Sequence, residues 1–181
     1  DDLSFLVRFL TKRPPSHNVS KSAFVFIFRT NMKKEPSSRR VMGRINIHLH
    51  GKLKDKAIAS IAEMYQQRLL SAGVKTHIHN DSLEVYLAKL KAKKGRLILL
   101  DERGDSFEST QFAAKIKEWK IGSDDVHFAI GPAEGWSGKE PTLQRISLSS
   151  FTFTHEMATI ILFEQLYRAH EILKGTSYHK D

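Results

Sequence analysis

At 181 residues and 40% hydrophobic content the chain suits one domain with a sizeable core, and no apolar run is long enough to span a bilayer. It has no cysteine, which excludes disulfides, thiolate zinc sites and a cysteine nucleophile. The formal charge of +9 favours an acidic partner such as nucleic acid but does not bear on the fold.

The charge is unevenly spread. Residues 1–41 hold nine Lys/Arg against three acidic residues, so the remainder is only mildly basic. Within this stretch Ala23 to Phe28 is a candidate strand, flanked by Pro14-Pro15, scattered serines and the linker-like run Lys33 to Arg40. A basic, serine-containing, acid-poor composition is that of an organelle transit peptide; the alternative is a non-native or upstream-translated leader ahead of Met42. Either way, the expected domain is 42–181 and 1–41 is an extension.

From Met42 the pattern becomes regular. Arg44 to Leu49 alternates as a strand, and Lys54 to Ala72 places Ile58, Ile61, Ala62, Tyr65 and Leu69 on one helical face before Gly73. Val74 to His79 is a second strand, Ser82 to Ala92 a helix with a basic end, and Arg96 to Leu100 a short buried strand. Thr110 to Lys120 is a helix packing Phe112, Ala113, Ile116 and Trp119. Val126 to Ile130 is another buried strand, followed by a turn from Gly131 to Gly138 and a short helix. Ile146 to Leu148 reads as the last strand, and a long apolar helix begins near His155. Strands alternating with helices predict an α/β fold with a mostly parallel sheet.

Binding loops in such folds lie beyond the carboxyl ends of the strands. Three qualify here: Asp101-Glu102-Arg103-Gly104, Gly131 to Gly135, and Ser149 to Thr154. Taken singly, each is also what an ordinary chain reversal looks like. There is no GxGxxG, Walker loop or GxSxG, so nucleotide-phosphate and hydrolase readings lack their motifs. The strand pairs His48/His50 and His77/His79 each point to one face. No carboxylate or thiolate joins them, so they read as edge or solvent-facing histidines and no metal site is assigned. The run Lys89 to Arg96 reads as a solvated basic face or an RNA phosphate track.

Taken together, the loops carry a resemblance. Leu100-Asp101-Glu102-Arg103-Gly104, then Ile130 to Gly135, then Ser147 to His155 occur in order, after Gly51-Lys52-Leu53-Lys54. Glu164-Gln165-Leu166-Tyr167-Arg168-Ala169 and Tyr178-His179-Lys180 follow them. Over about 42–181 the chain resembles the ribosomal RNA large-subunit methyltransferase H family. These are small SPOUT-class enzymes that methylate N3 of a pseudouridine in large-subunit rRNA.

The resemblance implies a mostly parallel α/β sheet with a C-terminal trefoil knot around S-adenosylmethionine, a homodimer, and large-subunit rRNA within the ribosome as partner. Carried over by position, the cofactor contacts are Leu100, Gly131, Pro132, Ser149, Ser150, Phe151, Thr152, Phe153 and Thr154. The residues on the RNA and catalytic side are His155, Arg168, Tyr178 and His179, with no metal. The implied location is the cytoplasm, or a mitochondrion or plastid if 1–41 is a transit peptide. The bland counterparts are a helix-start histidine bonded to backbone for His155, an i,i+4 pair with Glu164 for Arg168, and a frayed end for Tyr178-His179.

Two departures stand out. Pro132 occupies the family's second glycine, fixing φ and removing an N–H. Thr159 stands where the family often has arginine. They leave an alternative, a knotted ribosome- or RNA-binding protein that keeps the fold without turnover. The long helix is apolar almost all round in its first half, from Met157 to Phe163, which suits one side packed on its own sheet and the other on a twin.

Overall fold

Alternation of β-branched and polar residues with helix-period segments builds, among the described residues, five parallel strands and four α-helices. The computed structural model describes residues 43–121, 124–136 and 142–179. The extension 1–41, with its candidate strand Ala23 to Phe28, and residues 137–141, where the short helix expected after Gly138 would begin, lie outside the described residues.

The strands are β1 (Ile45–His50), β2 (Val74–His79), β3 (Arg96–Ser106), β4 (Val126–Ile130) and β5 (Gln144–Ser147), in the order β2-β1-β4-β3-β5. Every neighbouring pair is parallel, so the mostly parallel α/β expectation holds. The helices are α1 (Lys56–Leu69), α2 (Leu83–Lys91), α3 (Ser109–Ile121) and α4 (His155–Lys174), with a 3-10 turn at Leu70–Ala72 closing α1. None of these helices is long and apolar enough to cross a membrane.

Helix α1 starts two residues later than expected because Asp55 caps it, accepting from the N–H groups of Ala57 and Ile58. Its face is also rotated from the periodicity reading: Ala62 and Leu69 are buried, whereas Ile61 is exposed.

The sheet has two unlike faces. Ile45, Ile47, Leu49, Ile98, Val126, Phe128 and Ile146 meet α1, α3 and α4 in the main core. Phe112, Ala113, Ile116 and Trp119 of α3 are all buried there, as the period required. The opposite face packs Leu99 and Ala129 on Tyr86, Leu87 and Leu90 of α2, with Trp136.

Strand β3 departs from the sequence expectation. Its pairing with β5 breaks after Leu100↔Ile146 and resumes at Asp105↔Ile146 and Ser106↔Ser147. The turn 101–104 is thus an excursion inside a longer strand. Gly104 brings the excursion back so closely that an added Cβ would lie 2.6 Å from the backbone of Arg145 and Ile146. Backbone cannot swing aside as a side chain can. Gly104→Ala is therefore expected to destabilise the fold by about 2–3 kcal/mol, the upper range of overpacking costs, in denaturant unfolding.

His77 and His79 lie on the edge strand β2, as read, but His48 on β1 is neither at an edge nor solvent-facing, which corrects the reading there. His48 is fully buried and His127 nearly so. His127 Nε2 bonds to the Lys94 carbonyl at 3.0 Å. A carbonyl only accepts, so that nitrogen carries the hydrogen and His127 Nδ1 accepts from His48 Nε2, also at 3.0 Å. His48 Nδ1 in turn accepts from His79 Nε2 at 3.0 Å. His77 donates to Asn46 Oδ1 at 3.1 Å. These rings spend nitrogens on one another and on their neighbours, and among the described residues no three His, Cys, Asp or Glu side chains converge to hold a metal ion.

Burial, then the neighbouring rings and Lys93, drives the His48 pKa down to about 3. Burial likewise lowers His77 and His79, with Lys93 adding to both and Asp81 opposing it at His79. Folded values below the unfolded one mean that protons favour the unfolded chain. Stability is therefore complete above about pH 6.5 and declines as pH falls towards the folded values. Thermal unfolding between pH 7 and pH 5 is expected to show a steady loss of about 1 kcal/mol per pH unit for the most buried ring. A flat profile would contradict the neutral network.

Candidate active site

The carboxyl ends of β3, β4 and β5 open onto one cavity of about 300 Å³. Its walls are Leu100 to Arg103, Ile130 to Trp136, and a third set from Ile146 through Phe153 to His155 and Ala158. The three loops singled out in the sequence thus meet in space. Of the expected cofactor contacts, Leu100, Gly131, Pro132, Ser149, Phe151, Thr152 and Phe153 line the cavity. Ser150 and Thr154 do not; Ser150 is exposed, and Thr154 caps α4 by accepting from the Met157 N–H at 3.3 Å.

Local chemistry shapes each loop. Ser147 Oγ donates to the Ser149 carbonyl at 2.7 Å, and Ser149 Oγ accepts from the Phe151 N–H at 3.1 Å, so the serines fold their own turn. Thr152 Oγ1 donates to Glu102 at 2.7 Å, tying the third loop to the first. Arg145 of β5 is ion-paired with the buried Asp101 carboxylate, whose other oxygen accepts from the Arg103 N–H at 3.0 Å. Trp136 donates its indole N–H to the Leu100 carbonyl at 2.7 Å, tying the second loop to the first. Sequence reasoning singled out neither Arg145 nor Trp136. An arginine immediately before an expected strand and a tryptophan just past a glycine loop carry no motif signal.

His155 is the first residue of α4 and lines the cavity. Its Nε2 is buried with no hydrogen-bond partner, so the backbone-bonded alternative does not hold for that nitrogen. A buried polar atom without a partner is costly unless something else comes to it. Thr159 is fully buried and donates to the His155 carbonyl at 2.8 Å.

The other expected catalytic residues lie elsewhere. Arg168 is further along α4, about 20 Å from His155 at 1.5 Å per residue. It pairs with Glu164 at 2.6 Å, as the i,i+4 spacing anticipated, and this partner raises its pKa further. The tail is not frayed. Gly175 caps α4 in the left-handed region, and Tyr178 returns to pack edge-on against Tyr167 at 4.9 Å. The Arg168 guanidinium lies 5.0 Å from the Tyr178 ring and donates to His179 Nδ1 at 3.5 Å. Burial pushes the Tyr178 pKa up to about 12, so its hydroxyl stays a donor at neutral pH. Arg68 of α1, unremarked in the sequence, sits 5.5 Å from the rings of Tyr65 and Tyr167 beside this group. The expected catalytic residues therefore fall into two groups, towards opposite ends of α4.

The family model described as a predicted SPOUT methyltransferase matches residues 43–179, and the chain belongs to that family. It is similar to the Ribosomal RNA large subunit methyltransferase H of Koribacter versatilis, with 38% identity over 136 residues, 71% of this chain and 92% of the relative. The protein of the same name from Coprothermobacter proteolyticus is 36% identical over 140 residues, 76% of this chain and 99% of the relative. That of Geobacter sp. is 43% identical over 98 residues, 52% of this chain and 64% of the relative.

Proposed function

We propose that the protein is an S-adenosylmethionine-dependent methyltransferase modifying N3 of a pseudouridine in large-subunit rRNA, acting as a homodimer with a trefoil-knotted C-terminal region. One observation carries the reading: three loops separated in sequence converge on a single cavity lined also by His155, whose buried Nε2 has no hydrogen-bond partner. The names of the relatives supply the rRNA substrate class.

The cavity fits the cofactor's chemistry. Backbone groups at Leu100, Gly131, Ser149 and Phe151 to Phe153 suit an adenine and a bent methionine arm, and the carboxylates of Glu102 and Glu134 suit a sulfonium cation. The bound cofactor supplies an electrophilic methyl group. The chain's own task is to hold the base in line with that group and take up the imide proton that N3 loses. His155 is the candidate to take that proton, since the residue lines the cavity and its Nε2 has no hydrogen-bond partner.

A second copy supplies the other half-site. Met157 in the first turn of α4 and Phe151 in the loop before it are exposed apolar side chains, the kind a twin would cover. Packing α4 of one chain across its partner lets Arg168, Tyr178 and His179 of one subunit complete the site around His155 of the other. A ribosomal substrate implies the cytoplasm, or an organelle if residues 1–41 act as a transit peptide.

Titration calorimetry tests the cofactor assignment. S-adenosylmethionine and S-adenosylhomocysteine are expected to bind comparably without added metal. No heat and no thermal shift with either would refute an enzyme. Binding without methyl transfer would instead favour the knotted RNA-binding alternative, to which the missing N–H at Pro132 points.

A further inference from the structure

Trp136 is 3% exposed, yet it lines the cavity and touches both of the first two loops at their expected cofactor contacts. Its indole N–H reaches the Leu100 carbonyl at 2.7 Å. Its ring also lies directly beneath Gly131, where an added Cβ would come within 3.0 Å of Cε2. We propose that Trp136 is a positioning residue for the cofactor, fixing the loop that carries Leu100 against the loop that carries Gly131 so that the cavity is formed before the ligand arrives. The proposal rests on the cavity being the S-adenosylmethionine site.

The local physics makes the indole hard to replace. Leu100 is where β3 leaves its register with β5. A buried carbonyl at such a point needs a donor, and Trp136 supplies it. Behind the indole, Tyr86 stacks at 6.1 Å with planes 10° apart. Tyr86 is itself fully buried and anchored, its hydroxyl donating to the carbonyls of His48 at 2.9 Å and Ile130 at 3.2 Å. The indole therefore has a rigid backstop. In front of it, Gly131 lets the loop descend onto the ring, and Pro132 fixes the next φ while its carbonyl accepts from the Gly135 N–H at 2.9 Å. A loop held at both ends loses less freedom on binding, which is the gain from preorganisation.

The experiment compares Trp136→Phe, which keeps a ring but removes the donor, with Leu87→Ala, which opens the same apolar cluster away from the cavity. Trp136→Phe is expected to raise the dissociation constant for S-adenosylhomocysteine and the KM for S-adenosylmethionine about tenfold, the scale of one net hydrogen bond. kcat at saturating cofactor should stay within about twofold, because the chemistry itself is untouched. Leu87→Ala should lower the unfolding temperature without changing cofactor affinity.

A second readout holds even if Trp136→Phe folds poorly. The chain has two tryptophans, and Trp119 packs in the main core against Phe128. In a Trp119→Phe background the emission of Trp136 should change on S-adenosylhomocysteine addition, saturating at the calorimetric affinity. Wild-type-like binding by Trp136→Phe, equal weakening by Leu87→Ala, or an unresponsive emission from Trp136 would each overturn the positioning role while leaving the cofactor assignment standing. A wild-type chain that binds neither ligand would remove the cofactor assignment, and this proposal with it.

Discussion

Removal of residues 177–181 is expected to leave cofactor binding and dimerisation intact while methylation of ribosomal substrate falls by about two orders of magnitude or more, the usual scale for losing a positioned acid–base or orienting group. The described residues of this segment, Ser177, Tyr178 and His179, are not among those that line the cavity. It does make specific contacts: Tyr178 packs on Tyr167 and donates to Glu164 at 3.3 Å, and His179 accepts from Arg168. An array of donors, a ring face and a guanidinium held together at the surface is suited to a base and its phosphate. It lies far from His155 along α4, and in the proposed homodimer the partner subunit brings the two sets together. The comparison is rate per bound cofactor, measured on ribosomes with full-length and shortened chains. Unchanged turnover would reduce Tyr178 and His179 to a packed but idle terminus.

His155→Ala is expected to cost a similar factor in turnover, with the cofactor dissociation constant changed little. His155 lines the cavity and its buried Nε2 has no hydrogen-bond partner, so the substitution removes the candidate proton acceptor while Thr154 still caps α4. If His155 and the partner's tail act as one unit, combining His155→Ala with the tail deletion should lower turnover little beyond either change alone. Fully multiplicative losses would mean that the two half-sites work independently. Turnover within tenfold of wild type for His155→Ala would move the proton chemistry elsewhere in the cavity.

Much of the fold was legible because its signals are local. The buried run Val126 to Ile130 and the helical period of Phe112, Ala113, Ile116 and Trp119 report burial directly, and both landed as read. The loops between them were also legible, since short glycine- and serine-bearing turns after buried strands point to one end of a sheet. What the sequence hid is non-local. Nothing near Leu100 announces that the strand resumes at Asp105, because that depends on Gly104 meeting the backbone of Arg145 and Ile146. Among the alternating histidines, His48 was misread for the same reason. Period two told which face they share, but only the placement of β4 beside β1 shows that His127 closes over His48. Trp136 and Arg145 escaped because their roles are defined by partners some 36 and 44 residues away.

The most direct test of the proposed chemistry is nucleoside mass spectrometry of the host's large-subunit rRNA with and without this gene. A pseudouridine methylated at N3 should be present in the parent, absent when the gene is removed, and restored by the full chain but not by the chain lacking residues 177–181. An identical modification profile with and without the gene would contradict the assignment of this cavity to methyl transfer onto large-subunit rRNA.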